Sequence, residues 1–320
     1  MIWVYCWMVA LSTQAANPGG PTDHLRPPGW QGNPWGPQAT EARRAGLIPP
    51  IPMTPAMAKW ERWGKRVLRD GDIVFRLDDA RALLGYFPFS RFIAQATASP
   101  FSHTGIVAIE EGRPFVYDTS AGGVRRQPFC VWVLDNIGPF GVRRLRSDLQ
   151  SYAPGAVAYC RRVFEEQPPF DFEFDPDDRK LYCAEMTEKA FRSQGLELSE
   201  PIRIGDWENL GRYPVFSWLI RHLSRILLEQ PISLDQHVWV PGNNQCGIWA
   251  SALLETVHAP PQLAGPDPAL TRLPGQELKR DLGLFRFVQA QIRRSLADAA
   301  VRLALGDRLG FFLERARPWW

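Results

Sequence analysis

The 320-residue sequence is poor in cysteine, with five in all, and nearly balanced in charge, with 37 Lys and Arg against 34 Asp and Glu. Five cysteines are too few for a disulfide-dense scaffold. A formal charge of +3 excludes the strongly basic domain of a typical nucleic-acid binder, so no nucleic acid is expected as a partner. The apolar run Ile2–Leu11 is too short to cross a membrane, which takes about 20 apolar residues. The nucleotide fingerprints GxxxxGK[ST] and GxGxxG are missing, as is the GxSxG nucleophile elbow. No pair of histidines or cysteines has HxxxH or CxxC spacing, so no metal and no cofactor is expected. The acidic stretch Asp171, Glu173, Asp175, Asp177 and Asp178 lacks the glycine and distal Glu of a calcium loop.

What the sequence does have is unevenly spread. The first 16 residues carry no charged side chain, and Ile2–Leu11 followed by Thr13-Gln14-Ala15 predicts a signal peptide, though without a basic start. From Asn17 to Pro55, ten of 39 residues are Pro and six are Gly, which predicts an extended, mostly disordered linker. An ordered domain is expected over residues 56–250. It opens with a short amphipathic helix near Ala58–Leu68 and a strand at Asp72–Phe75. A helical stretch at Arg91–Ala98 precedes a β-branched strand, His103–Ile109, and a returning strand, Pro114–Asp118, across Glu110-Glu111-Gly112. Either Val131–Leu134 or Gly141–Leu145 supplies a further strand. Helices are expected at Ala156–Glu166 and Tyr182–Gln194. Strands grouped together and followed by helices indicate an α+β fold with an antiparallel sheet.

Past Trp207 the pattern turns helical, with Phe216–Leu228 apolar on one face. Residues 251–320 are expected to form a helical C-terminal extension. In it Leu282, Phe285, Val288, Ile292, Leu296, Ala299 and Leu303 recur at three- and four-residue steps opposite Arg286, Arg293, Arg294 and Arg302. The plain reading is a helix packed on the domain with a solvated basic face. The sharper one is a helix that lies on a membrane or envelope surface.

Cys183 precedes the helical stretch Ala184–Ala190, so it belongs at a helix N-terminus. Unpaired N–H groups and the helix dipole there favour a thiolate, and the Cys183 N–H is available to an oxyanion. Cys130 follows Pro-Phe in a strand-like run and Cys160 lies within an apolar helix; Cys246 is the rival. A cysteine is more often a small buried apolar residue than a nucleophile. For the base, His103 opens a strand and Asp118 lies fifteen residues on, across the hairpin. With a slightly asymmetric turn the two fall close to opposite each other, near enough for a carboxylate to hold an imidazole tautomer. That is the orienting arrangement of a Cys–His–acid triad.

Four segments in order carry a resemblance: Gly71-Asp-Ile-Val-Phe75, Gln95 through Ser102-His103-Thr-Gly-Ile-Val107, Pro114-Phe-Val-Tyr-Asp118, and Leu181-Tyr-Cys-Ala-Glu-Met186. Together they resemble the YiiX/YebB-like cysteine hydrolases, a circularly permuted branch of the NlpC-type papain-like superfamily. The similarity covers about Arg69 to Asp206, with Pro231–Gly242 a weaker match to the family's closing segment. Three positions depart from the pattern: Asp118 where Glu is usual, Ala184 where Ser is, and Met186 where Leu is.

The resemblance implies a permuted papain-like domain, an antiparallel sheet or barrel packed on helices. It also implies Cys183 as nucleophile, His103 as base and Asp118 as orienting acid, with Tyr182 and Ser102 as near-site or oxyanion residues. The activity expected is hydrolysis or acyl transfer at an amide or ester, on a small peptide of peptidoglycan type or an acyl lipid. The alternative is an inactive module that binds peptide or acyl chains in the same cleft. Export to the cell envelope follows from the N-terminal run, and a cytoplasmic protein follows if that run is not a signal.

Overall fold

The computed structural model describes residues 33–260, apart from 79, 81–88, 137, 175–178, 213–216, 219, 222–223 and 225–231, together with residue 263. The N-terminal run 1–16, much of the apolar stretch 216–228 and the basic helix 282–303 lie outside the described residues.

Strand β1 (Ile73–Arg76) pairs with β2 (His103–Glu110), which turns back as β3 (Arg113–Ser120). Glu111 and Gly112 both adopt positive φ, 52° and 71°, in a two-residue loop that joins Glu110 to Arg113. Such a loop matches the right-handed twist of the strands it connects. A second short loop, Ala121-Gly122, leads into β4 (Gly123–Pro128). On the other side of β1 lies β5 (Phe140–Leu145), and beyond it β8 (Leu254–His258). The sheet order is β4-β3-β2-β1-β5-β8, with antiparallel pairing throughout. A separate two-stranded ribbon joins β6 (Ile202–Arg203) to β7 (His237–Val238).

All four residues of β1 are buried, which requires cover on both faces of the sheet. Ile73, Phe75, Ile106, Tyr117 and Val124 face one cluster, shared with α5 (Ala153–Glu166) and α6 (Cys183–Arg192). Val74, Val107 and Val116 face the other, shared with α2 (Pro55–Val67) and α4 (Phe129–Leu134). Helix α2 is set by Thr54, whose Oγ1 accepts the Met57 N–H at 3.2 Å, and by Pro55 in the first turn, where no amide donor is needed. It buries Trp60 edge-on against Phe140, ring centroids 5.3 Å apart. Helices α1 (Pro37–Arg44), α3 (Phe89–Ala96) and α7 (Glu208–Arg212) are peripheral. The α+β architecture is the expected one.

Four expectations change. The Pro/Gly-rich segment 17–55 is not a disordered linker over its described part: Pro37 opens α1, a position where its fixed φ suits a helix. Trp35 is buried, its carbonyl accepts the Arg126 N–H at 2.9 Å, and Asn33 Nδ2 donates to the Val124 carbonyl at 3.0 Å. This segment therefore covers the exposed edge of β4. The domain does not stop at residue 250, because β8 lies beyond it and pairs with β5. Val131–Leu134 belongs to a helix and Phe140–Leu145 is the strand. Lastly, the hairpin turn is symmetric. From Ile106 opposite Tyr117, the register sets Asp118 against Gly105, two residues from His103 and diagonal to it.

Candidate active site

Strand β2 begins at His103, whose ring is almost fully buried. Its Nε2 lies 2.7 Å from Asp118 Oδ2. Asp118 is ionised, so it can only accept, and Nε2 must carry the hydrogen. The other ring nitrogen, Nδ1, is then free for a second partner. Cys183 supplies it, as the first residue of α6, a helix packed on β2 and β3. The thiol Sγ is 3.9 Å from the carbonyl oxygen of Ser102, the residue before His103. Burial alone would push the His103 imidazolium down. The negative charges of Cys183 and Asp118 and their hydrogen bonds to the ring outweigh that and raise it to about 9.

Asp118 is the most heavily donated carboxylate of the site. Its Oδ2 accepts from His103, from Arg125 Nη2 at 2.6 Å and from Trp132 Nε1 at 2.8 Å, while Oδ1 accepts from Arg125 Nε at 2.8 Å. Burial would raise its pKa, but the charges and hydrogen bonds of Arg125 and His103 hold it well below the usual carboxylate range. Trp132 also lies nearly parallel to the His103 ring, 30° apart at 6.3 Å between centroids. Behind it, Arg76 stacks on the indole at 4.4 Å, donates to the Trp132 carbonyl at 2.5 Å, and lies 3.3 Å from Asp78 and 3.9 Å from Asp135.

Helix α6 is started by Glu185, whose carboxylate accepts the Tyr182 N–H at 3.3 Å and pairs with Lys189 at 2.8 Å. Burial is strong enough to push Glu185 up to about 7 even so. Thr187 Oγ1 donates to the Cys183 carbonyl at 3.0 Å and bonds Thr104 on β2 at 2.9 Å, which ties the helix start to the strand start. The Cys183 N–H lies in the first turn, where no preceding carbonyl of the helix can reach it.

Of the expected site residues, His103, Asp118 and Cys183 come together at the start of β2. Ser102 is beside them: its carbonyl faces the thiol and its Oγ accepts the Asp78 N–H at 3.1 Å. Tyr182 is adjacent in chain but points its hydroxyl elsewhere, accepting the Trp239 N–H at 2.8 Å. It is a strut between α6 and the segment after β7, and the oxyanion expectation for its side chain is withdrawn. The rival Cys246 sits after Asn243 in a loop, and its thiol is pushed up by burial. Burial likewise raises Cys130 to about 12 and Cys160 further. Among the described residues no group of three or more His, Cys, Asp or Glu is placed to hold a metal ion.

Arg125 and Trp132 are absent from the sequence reading. A signal for Arg125 existed: Asp118 and Arg125 are equidistant from the Ala121-Gly122 loop and so pair directly. Trp132 had none, because it arrives from a helix whose packing no local pattern fixes.

Residues 67–209, which contain His103, Asp118, Arg125, Trp132 and Cys183, match the family described as permuted papain-like amidase enzyme, YaeF/YiiX, C92 family. The chain is similar to the uncharacterized protein YiiX of Escherichia coli strain K12, 26% identical over 172 residues, covering 53% of this chain and 78% of that protein. It is also similar to a crystal structure described as metalloprotein yiiX from Escherichia coli O157:H7. There the identity is 23% and the TM-score 0.49, with 61% of this chain and 98% of that one covered.

Proposed function

Because residues 67–209 belong to the YiiX-like permuted papain-fold family, we propose that the protein is a cysteine hydrolase whose nucleophile is Cys183, with His103 as acid–base and Asp118 as the group that orients it. The observation that carries this reading is the buried His103 ring, bonded through Nε2 to Asp118 at 2.7 Å and coupled on its other side to Cys183. His103 Nδ1 takes the Sγ proton, and the thiolate attacks the carbonyl carbon of an amide or ester. The Cys183 backbone N–H faces the oxygen on which charge develops. The imidazolium returns the proton to the leaving nitrogen or oxygen as the tetrahedral species collapses to a thioester. Water, deprotonated by the same imidazole, then releases the acid and restores the thiol. An acceptor alcohol or amine in place of water would make the same steps an acyl transfer.

The amidase character of the family favours an amide of a small peptidoglycan-type peptide, with a lipid acyl ester second. The uncharged N-terminal run and the basic amphipathic sequence pattern of residues 282–303 favour action at the cell envelope. The test is labelling with a thiol-directed activity probe, combined with turnover of muropeptide and acyl-ester substrates by wild type and Cys183→Ala. We expect Cys183 to react well ahead of Cys130 and Cys160, and turnover to fall on the order of 10^4-fold in Cys183→Ala. Equal reactivity of the three thiols, with turnover unaffected by the substitution, would remove the assignment and leave a binding module.

A further inference from the structure

Asp118 does not face His103 directly. Directly opposed residues on neighbouring strands have Cβ atoms about 5 Å apart, whereas diagonal ones are about 7–8 Å apart. An aspartate has one methylene with which to cover the diagonal. Its direct partner is Arg125 on β4, in register with it and mostly buried. The guanidinium grips both carboxylate oxygens, Nε to Oδ1 at 2.8 Å and Nη2 to Oδ2 at 2.6 Å, and this planar fork fixes the plane of the carboxylate. The same Nη2 lies 3.4 Å from His103 Nε2. The Trp132 N–H closes the remaining approach to Oδ2.

Charge points the same way. The groups that face His103 are Asp118 from β3, Arg125 from β4, Cys183 from α6, Arg76 from the end of β1 and Asp78 just after it, with Asp135 behind them at the end of α4. Asp78, Asp118 and Asp135 outnumber Arg76 and Arg125 by one. The His103 imidazolium brings these five groups to neutrality, and the Cys183 thiolate then leaves one net negative charge beside the ring.

We infer that Arg125 is a positioning residue for the reaction, a clamp that holds Asp118 at the one orientation from which it reaches His103 Nε2 across the diagonal. Trp132 is the second jaw of that clamp. Arg125 touches neither the thiol nor the substrate carbonyl in this scheme; it acts through the carboxylate. The inference rests on the assignment of Cys183, His103 and Asp118 made above.

The test is the rate of Cys183 alkylation by iodoacetamide against pH, in full-length wild type, Arg125→Gln, Arg125→Lys, Asp118→Ala and the double variant Arg125→Gln/Asp118→Ala. Circular dichroism and melting confirm that each is folded. Arg125→Gln should slow alkylation near neutral pH by up to about 100-fold, the cost of misplacing the acid that positions the base. It should also move the acid limb of the profile upward by at least about one pH unit, because Asp118 loses the cation that keeps it ionised. Arg125→Lys should recover most of the limb, through charge, and only part of the rate, through the lost fork. In the Asp118→Ala background, Arg125→Gln should add no more than about twofold. A folded Arg125→Gln with an unmoved acid limb would overturn the clamp, and so would an undiminished effect without Asp118. Should Arg125→Gln fail to fold, an Arg125→Lys profile that coincides with wild type in rate and limb would overturn it equally. A wild-type profile with no fast thiol would instead bring down the nucleophile assignment beneath it.

Discussion

Two arginine–aspartate forks are buried in the same sheet, and they have become different things. Arg144 on β5 grips Asp72 at 2.7 Å through both Nε and Nη2, and Arg125 grips Asp118 in the same bidentate way. Around Asp72 the other donor is a backbone one, the Arg69 N–H at 2.9 Å, and Arg144 also bonds the Val67 carbonyl. That fork fastens the start of β1 to β5 and to the end of α2. Burial outweighs its single guanidinium, and the Asp72 pKa is raised. Around Asp118 stand a guanidinium, an indole N–H and an imidazole, and the pKa is driven far down. An identical pair of residue types serves as a fastener or, in the mechanism proposed above, as reaction machinery according to its third partner. When that partner is a titratable ring beside a thiol, the fork sets a protonation state.

The comparison breaks most sharply by deleting each acid. Asp118→Ala should lower turnover by roughly 10^3-fold or more, since the imidazole loses its tautomer and its orientation. Asp72→Ala should leave the fast alkylation of Cys183 in place while costing about 3 kcal/mol of stability, because it strands Arg144. Paired kinetics and urea melts read both. If Asp72→Ala slowed the thiol as much as Asp118→Ala does, the two forks would not be distinct.

Gly105 sharpens the point from the strand opposite Asp118. A Cβ there would meet Val116 Cγ1 at 2.6 Å, the Tyr117 carbonyl oxygen at 2.9 Å and Asp118 Cβ at 3.2 Å. Two of those contacts are at or near the backbone and cannot swing away, so Gly105→Ala must push β2 from β3. Displacing the acid by a fraction of an ångström to an ångström should cost about 10²-fold in kcat, with a stability loss of about 1–3 kcal/mol from overpacking. Loss of stability alone, with kcat intact, would show that Asp118 tolerates movement that Asp72 should tolerate too.

A subtler effect lies in the pH dependence of folding. His103 has a folded-state pKa of about 9, above its unfolded value of about 6.5. Its contribution is therefore fully present below pH ~6.5 and is lost as pH rises through about 9, amounting to at most ~3 kcal/mol. Wild-type stability should fall across that window and His103→Asn should flatten the fall, as read by denaturant titrations at a series of pH values. The smallest effect belongs to a third fork, Arg203 with Asp206, which has the same bidentate form but lies on the surface. Asp206→Asn should leave both the melting temperature and the thiol reactivity where they were, since solvent screens exposed pairs.

How much of this could be read beforehand differs from residue to residue. β-Branched and aromatic residues on either side of a Gly-containing turn pointed to β2, β3 and the hairpin between them, because such a turn leaves the chain little choice but to reverse. His103, Asp118 and Cys183 were legible since each sits at the end of an element or beside a turn, where local pattern is strongest. The diagonal offset was misjudged by the length of a symmetric loop. The segment 33–55 looked unstructured from its proline content, yet Pro37 and Pro55 stand at helix starts, where proline costs nothing. Strand β8 and the helix 129–134 were missed because their conformations answer to distant neighbours, Arg143 and Arg144 for one and Trp60 and Phe140 for the other.

By itself, then, the sequence indicated most of the elements, the α+β class and a cysteine, a histidine and an acid to watch, all of which depend on interactions between residues close in the chain. Only the tertiary structure decided that Arg125 and Trp132 close on Asp118, that Tyr182 looks away, and that Gly105 is the space the acid needs. Those facts depend on which strands and helices pack together, and a carboxylate's charge state is set by whatever that packing brings to its two oxygens.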